Sequence, residues 1–133
     1  MCKRVRKIFD VFIGERRMKF KINNREWTVT ETSQQAIKNK QNIRNANEEE
    51  NIKSIATRYY GITYCDEQKI YIDEDLPKDR KKATLIHELA HCYIDNYITH
   101  CDKQYTEEDV ADIVSNSYDI FHEIVEMYFK EKM

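Results

Sequence analysis

The order of strand-forming and helix-forming patterns predicts an α+β fold: a small, mostly antiparallel sheet first, packed on helices supplied by the second half of the chain. Three observations carry this. Two pairs of β-prone runs come early and are separated by turn-forming residues. From about residue 78 onward the apolar residues recur at helical spacing instead. With two glycines and a single proline, the 133 residues contain no linker-like stretch, so one domain is expected.

Taken in order, Val5, Ile8, Phe9, Phe12 and Ile13 recur at helical spacing and predict a short amphipathic first helix that stops near Gly14. Phe20 and Ile22 alternate, as do Trp27 and Val29, and Asn23-Asn24 lies between them, which predicts a hairpin over residues 18–30. Residues 34–53 are rich in Gln, Asn, Lys and Glu with scattered apolar positions, and read as an exposed helix or a polar excursion. A second hairpin is expected from residues 59–64 and 69–73 around Cys65-Asp66-Glu67-Gln68. A helix should then run from about Pro77 to Asn96. Thr106-Glu107-Glu108-Asp109 reads as a capped start, followed by an apolar face of Val110, Val114, Phe121, Ile124, Val125 and Phe129 on one long or two short helices. The chain therefore divides into residues 1–57 (first helix, hairpin, polar excursion) and a core over residues 58–133.

The hydrophobic fraction of 41% and the nine tyrosines are those of a globular chain, although 35% of residues are charged. No apolar run reaches the roughly 18 residues that span a bilayer, and the short stretch Ile8–Ile13 does not make an export signal, so a cytoplasmic protein without membrane contact is expected. The four cysteines, Cys2, Cys65, Cys92 and Cys101, then read as free thiols. The net charge of -2 hides a basic first segment, with nine Lys or Arg against two acids in residues 1–25. It lacks the aromatic interleaving of a nucleic-acid module, so nucleic acid is not the expected partner. Nothing in the sequence indicates an oligomeric state.

The chemistry lies in His87-Glu88-Leu89-Ala90-His91. Histidines four apart on a helix project from one face, so His87 and His91 can share a metal ion. Glu88 sits beside them without ligating and can take a proton from an activated water. Two imidazoles with an open coordination position point to one catalytic Zn2+ per chain rather than a structural site, which closes four protein ligands and favours cysteine. Zinc with a glutamate base is the machinery of peptide hydrolysis. Ile86, Leu89 and Ala90 are expected in the core.

A third protein ligand must come from elsewhere. A metzincin would carry a histidine six residues after His91, where this chain has Tyr97. Seventeen residues after His91 comes Glu108, with Asp112 one helical turn beyond, and this spacing assigns Glu108 to the metal and Asp112 to the free ring nitrogen of a ligand histidine. Glu107, Asp109, Asp112, His100 and Cys101 remain alternatives for the ligand, since acids also collect in first helical turns to cap them. Cys92, directly after His91, points away from a metal and is expected to be buried. Tyr93, Tyr97, Tyr118 and His122 are candidates for stabilising an oxyanion.

The run Ile70-Tyr71-Ile72, then Leu76-Pro77-Lys78-Asp79, then Thr84-Leu85-Ile86-His87-Glu88-Leu89-Ala90-His91 resembles the ImmA/IrrE family of metallopeptidases of bacteria and their mobile elements, over about residues 55–125. The resemblance implies a minimal zincin of the gluzincin type, in which a small sheet packs on an active-site helix and a following ligand helix. It also implies an edge strand that holds an extended peptide, here Lys69–Asp73 with Ile70, Tyr71 and Ile72. Many members carry Glu-Ala-Asn on the ligand helix where this chain reads Glu108-Asp109-Val110-Ala111-Asp112, so Glu108 corresponds by position. The implied substrate is a protein partner, by likeness to members that cleave or inactivate a transcriptional repressor. The alternative to a peptidase is a metal-stabilised module that sequesters its partner without turnover.

Overall fold

The computed structural model of the chain describes residues 9–12, 15–46, 58–98 and 104–130. Its elements are β1 (Phe9–Phe12), β2 (Glu15–Ile22), β3 (Arg25–Thr32), α1 (Gln34–Ala46), β4 (Gly61–Tyr64), β5 (Lys69–Asp73), α2 (Lys78–Tyr97) and α3 (Glu107–Lys130). This is the expected α+β arrangement. The strands form one sheet in the order β1-β2-β3-β5-β4, antiparallel except where β3 and β5 run parallel. That parallel pair, Val29 beside Ile70 and Thr30 beside Tyr71, joins the two halves of the chain in one sheet.

The first hairpin turns where expected. Asn23 and Asn24 both adopt positive φ, 52° and 64°, between the paired residues Ile22 and Arg25. A two-residue turn of this kind matches the twist of the strands it joins, and asparagine tolerates the left-handed region better than most residues.

The expected first helix is corrected over its described part. Phe9–Phe12 is a strand, with Phe9 beside Met18 and Phe12 beside Glu15, and the remaining residues of the expected helix, 5–8, 13 and 14, lie outside the described residues. A short segment without a capping residue gains little as an isolated helix, whereas the edge of β2 satisfies its backbone groups at once.

One face of the sheet carries the main core. Met18, Phe20 and Ile22 of β2, Trp27 and Val29 of β3, and Ile70 and Ile72 of β5 meet Leu85, Leu89 and Cys92 of α2 and Ile124, Val125, Tyr128 and Phe129 of α3. The other face is partly covered by α1, whose fully buried Ile37 packs on Tyr64 and Tyr71. Ser33 caps that helix, its Oγ accepting the Ala36 N–H at 3.1 Å. The polar segment is thus helical as far as Ala46. No helix among the described residues is long and apolar enough to cross a membrane.

Asp73 ties α1, β5 and the approach to β4 together. It is 1% exposed, and its Oδ2 accepts from Gln34 Nε2 at 2.9 Å and Arg58 Nη2 at 3.0 Å while Oδ1 accepts the Asp75 N–H at 3.0 Å. Burial alone would raise its carboxyl. The Asp75 N–H, Arg58 and Gln34 outweigh that and hold it below the ordinary value. Since the folded value lies below the unfolded one of about 3.9, this stabilisation is present above the unfolded value and is lost as pH falls from there through the folded one. Asp73→Asn is therefore expected to lower stability at pH 7 by about 1–3 kcal/mol and to flatten the acid-side loss below about pH 4. Urea unfolding across that range checks it, and parallel pH curves for the two proteins would refute it.

Candidate functional site

Helix α2 begins after Pro77, whose extended backbone (φ -60°, ψ 155°) precedes the first turn, and carries Asp79 where an acid favours the positive end of a helix. Its inward face is Leu85, Glu88, Leu89, Cys92, Tyr93 and Asn96, spaced as one side of a helix. Cys92 is fully buried, as expected, and burial pushes its thiol well above the ordinary value. Ile86 corrects the core expectation: it is 41% exposed, because it lies outside that stripe.

His87 and His91 are both exposed, side by side on the same helix. Their ring centroids are 5.1 Å apart with the planes at 75°. Two imidazoles at this spacing can each turn a nitrogen toward one ion at the roughly 2.0–2.1 Å that zinc requires. Glu88 is 5% exposed and differently held. Its Oε1 accepts the Thr63 hydroxyl at 2.6 Å, which fixes the carboxylate against β4. One oxygen is anchored and the other has no hydrogen-bond partner among the described residues.

Close approach of β4 to α2 requires glycine. A Cβ on Gly61 would lie 2.7 Å from Thr84 Cγ2 and 3.2 Å from Glu88 Cγ. Gly61→Ala is expected to cost about 1–3 kcal/mol by overpacking, measured by chemical denaturation. Thr84→Ser in the same chain removes the tightest clash and should recover part of the loss, the Tyr71 carbonyl oxygen still lying 3.2 Å from the added Cβ, and purely additive effects would show that the Thr84 contact is not the cause.

The strand beside the site is not the one the resemblance implied. Lys69–Asp73, with Ile70, Tyr71 and Ile72, lies inside the sheet between β3 and β4, and all three of those side chains are buried. Among the described residues the edge on this side of the sheet is β4, with Thr63 opposite Ile70 and Gly61 opposite Ile72. An apolar run without alternation is the pattern of a strand covered on both faces, and Ile70-Tyr71-Ile72 reads that way once the sheet is seen.

Two cavities meet at His87. One, of about 390 Å³, is almost wholly apolar and lies between α2 and α3, with Ile86, Ala90, Val114, Tyr118, Phe121 and His122 among its walls. The other, of about 350 Å³, is lined by Arg58, Tyr60, Gly61, Arg80 and Glu88. Of the four residues considered for an oxyanion, Tyr118 and His122 face the first cavity, their rings stacked at 5.8 Å. Tyr93 is buried against Tyr97 and Phe121, and Tyr97 lines a separate cavity with Phe20 and Ile124.

Helix α3 starts as its sequence suggests. Thr106 Oγ1 accepts the Asp109 N–H at 3.1 Å and Asp109 Oδ2 accepts the Thr106 N–H at 3.0 Å, a reciprocal capping box that gives Asp109 a structural task. Glu107, Glu108 and Asp112 are exposed. The expected apolar face holds at Phe121, Ile124, Val125 and Phe129 and is corrected at its start: Val110 and Val114 are 50% and 66% exposed, and burial begins only at Ser117.

His87 and His91 are two donors of the kind that zinc takes, with their rings together on one helix face. Among the described residues no three His, Cys, Asp or Glu side chains are grouped to hold a metal, so Glu108 is not gathered to the histidines. No hydrogen bond joins the Asp112 side chain to a histidine among the described residues either, and His100 and Cys101 lie outside them. Thr63, Gly61, Arg58 and Arg80 escaped the sequence reading because nothing local marks them. They become site residues only when β4 is brought against α2. Comparison of the chain with protein-family models, curated proteins and solved structures gives no match.

Proposed function

We propose that the chain is a zinc-dependent endopeptidase of the ImmA/IrrE kind, acting in the cytoplasm on a peptide bond of a protein partner such as a transcriptional repressor. The observation that carries this reading is the pairing of two exposed, adjacent imidazoles with a buried glutamate whose Oε1 alone is tied down, to Thr63 of β4. His87 and His91 would hold the ion, with Glu108 as the third donor the sequence offers. The half of α3 that carries Glu108 has no buried side chain before Ser117, which supports its adjusting to complete the set. When bound, zinc supplies the Lewis acidity that makes a water acidic and a scissile carbonyl electrophilic.

The chain's own groups do the rest. The edge of β4 offers backbone groups to an extended peptide. Glu88 takes the water proton at Oε2 and returns it to the leaving amine, its orientation kept by Thr63. The apolar cavity beside His87 suits a large apolar side chain next to the scissile bond and excludes water from it.

The purified chain is expected to hold about one zinc, lost in His87→Ala. Incubated with a lysate of the source cell, it should generate new peptide ends that disappear on chelation and return with zinc, as mapped by mass spectrometry. Identical digests with and without chelator would refute the peptidase reading.

A further inference from the structure

The polar cavity beside Glu88 carries a charge that the hydrolytic reading does not use. Arg58 and Arg80 flank the same aromatic ring, their guanidinium carbons 5.6 and 5.3 Å from the centroid of Tyr60. Each is attracted to the ring face, which lets two like charges share one wall. Their circumstances differ. Arg58 is held by Asp73 through Nε at 3.2 Å and Nη2 at 3.0 Å, so its charge is largely matched and its plane is fixed. The Arg80 guanidinium has neither a hydrogen-bond acceptor nor an ion-pair partner among the described residues. The acid within that cavity, Glu88, is tied to Thr63. One cation therefore faces the cavity with its donors unspent, beside a second that is preorganised.

We propose that this wall, Arg80 and Arg58 about Tyr60, binds a carboxylate of the substrate. A guanidinium presents paired N–H donors in the fork geometry that a carboxylate matches, and such charge-assisted bonds are stronger than neutral ones. Its distance from the chemistry follows from the helix. Arg80 precedes His87 by seven residues on α2, about 10 Å along the axis at roughly 1.5 Å per residue, or about three residues of extended peptide. The carboxylate thus lies within about three residues of the scissile bond, on the side of the α2 N-terminus. It is either an Asp or Glu side chain within the partner or a free chain end. The inference rests on the peptidase reading for its meaning, but the binding itself can be tested without turnover.

The test is a two-dimensional amide NMR titration of the full chain with three probes: N-acetyl-aspartate N-methylamide, whose only charge is on the side chain; N-acetyl-alanine, whose only charge is the chain end; and N-acetyl-asparagine N-methylamide, which has none. Saturable shifts of the Tyr60, Gly61 and Arg80 amides are expected with a carboxylate probe and not with the neutral one. The responding probe identifies the source. Arg80→Gln, at an exposed position where folding is not at risk, should weaken the response at least about tenfold, as loss of a charge-assisted bond does. Equal response to the neutral probe, no saturable shift with either carboxylate, or an unchanged response in Arg80→Gln would overturn the proposal. If the carboxylate binds and depends on Arg80 while chelation leaves the lysate digest unaltered, the peptidase reading falls and the binding site stands.

Discussion

Replacing Glu31 by alanine is expected to remove about 3–5 kcal/mol of stability, the loss typical of taking one partner from a buried charged cluster. Glu31 lies on β3, 4% exposed, and is the point where three elements are tied. Lys81 of α2 donates to its Oε1 at 2.7 Å, and the Tyr128 hydroxyl of α3 donates to its Oε2. Arg16 of β2 approaches the same carboxylate at 3.9 Å, donates to the Tyr128 carbonyl at 3.0 Å and lies over the Tyr128 ring. Burial and the adjacent carboxylate push the Tyr128 phenol well above its ordinary value, so it stays the donor. Without Glu31, the Lys81 side chain, only 12% exposed, loses the carboxylate it is paired with. Denaturant unfolding followed by Trp27, the single and fully buried tryptophan, reports the loss. Since a domain of this size has roughly 5–15 kcal/mol to lose, Glu31→Gln, which keeps the shape and the hydrogen-bonding oxygen, provides a folded comparison of intermediate stability. A Glu31→Ala protein within about 1 kcal/mol of the wild type would show that the cluster does not hold the helices to the sheet.

On the proposed peptidase reading, the other large effect falls on turnover. Glu88→Gln is expected to slow cleavage by about 10²–10⁴-fold, the usual contribution of a positioned general base. The amide oxygen can still accept the Thr63 hydroxyl, so zinc content, partner binding and unfolding midpoint should stay at wild-type levels. This separation makes the variant informative. Under the sequestering alternative, both proteins would hold the partner equally and neither would cleave it. Cleavage at the wild-type rate by Glu88→Gln would remove Glu88 from the role of base.

What could be read along the chain was local. Asn23-Asn24 announced a turn that needs two positive φ values, and the Thr106/Asp109 pair announced a reciprocal cap, because each depends on residues within a few positions. The i, i+4 spacing of His87 and His91 is equally local, and their rings do lie together. The errors arose where distant pairing decides. Phe9–Phe12 has apolar residues that suit either period, and the waiting edge of β2 chose the strand. The place of β5 inside the sheet depends on its contact with β3, which no pattern in residues 69–73 declares except their uninterrupted burial. The position of Glu108 belongs to the same class, since it depends on how the first turns of α3 lie against α2, and those turns carry little apolar anchoring.

The parallel pairing of β3 with β5 has a consequence for the order of assembly. The residues it joins, such as Val29 and Ile70, are roughly 40 positions apart, and such contacts close late because the loop entropy comes before the reward. During synthesis residues 15–32 leave the ribosome before the helix with the histidines, so the β2–β3 hairpin can form first and offer the edge that β5 fills. The site-bearing half is therefore templated by the half that contributes none of its chemistry. A fragment beginning near residue 58 would keep His87, Glu88 and His91 yet expose β5 as a bare, apolar edge, which favours aggregation over a working cleft.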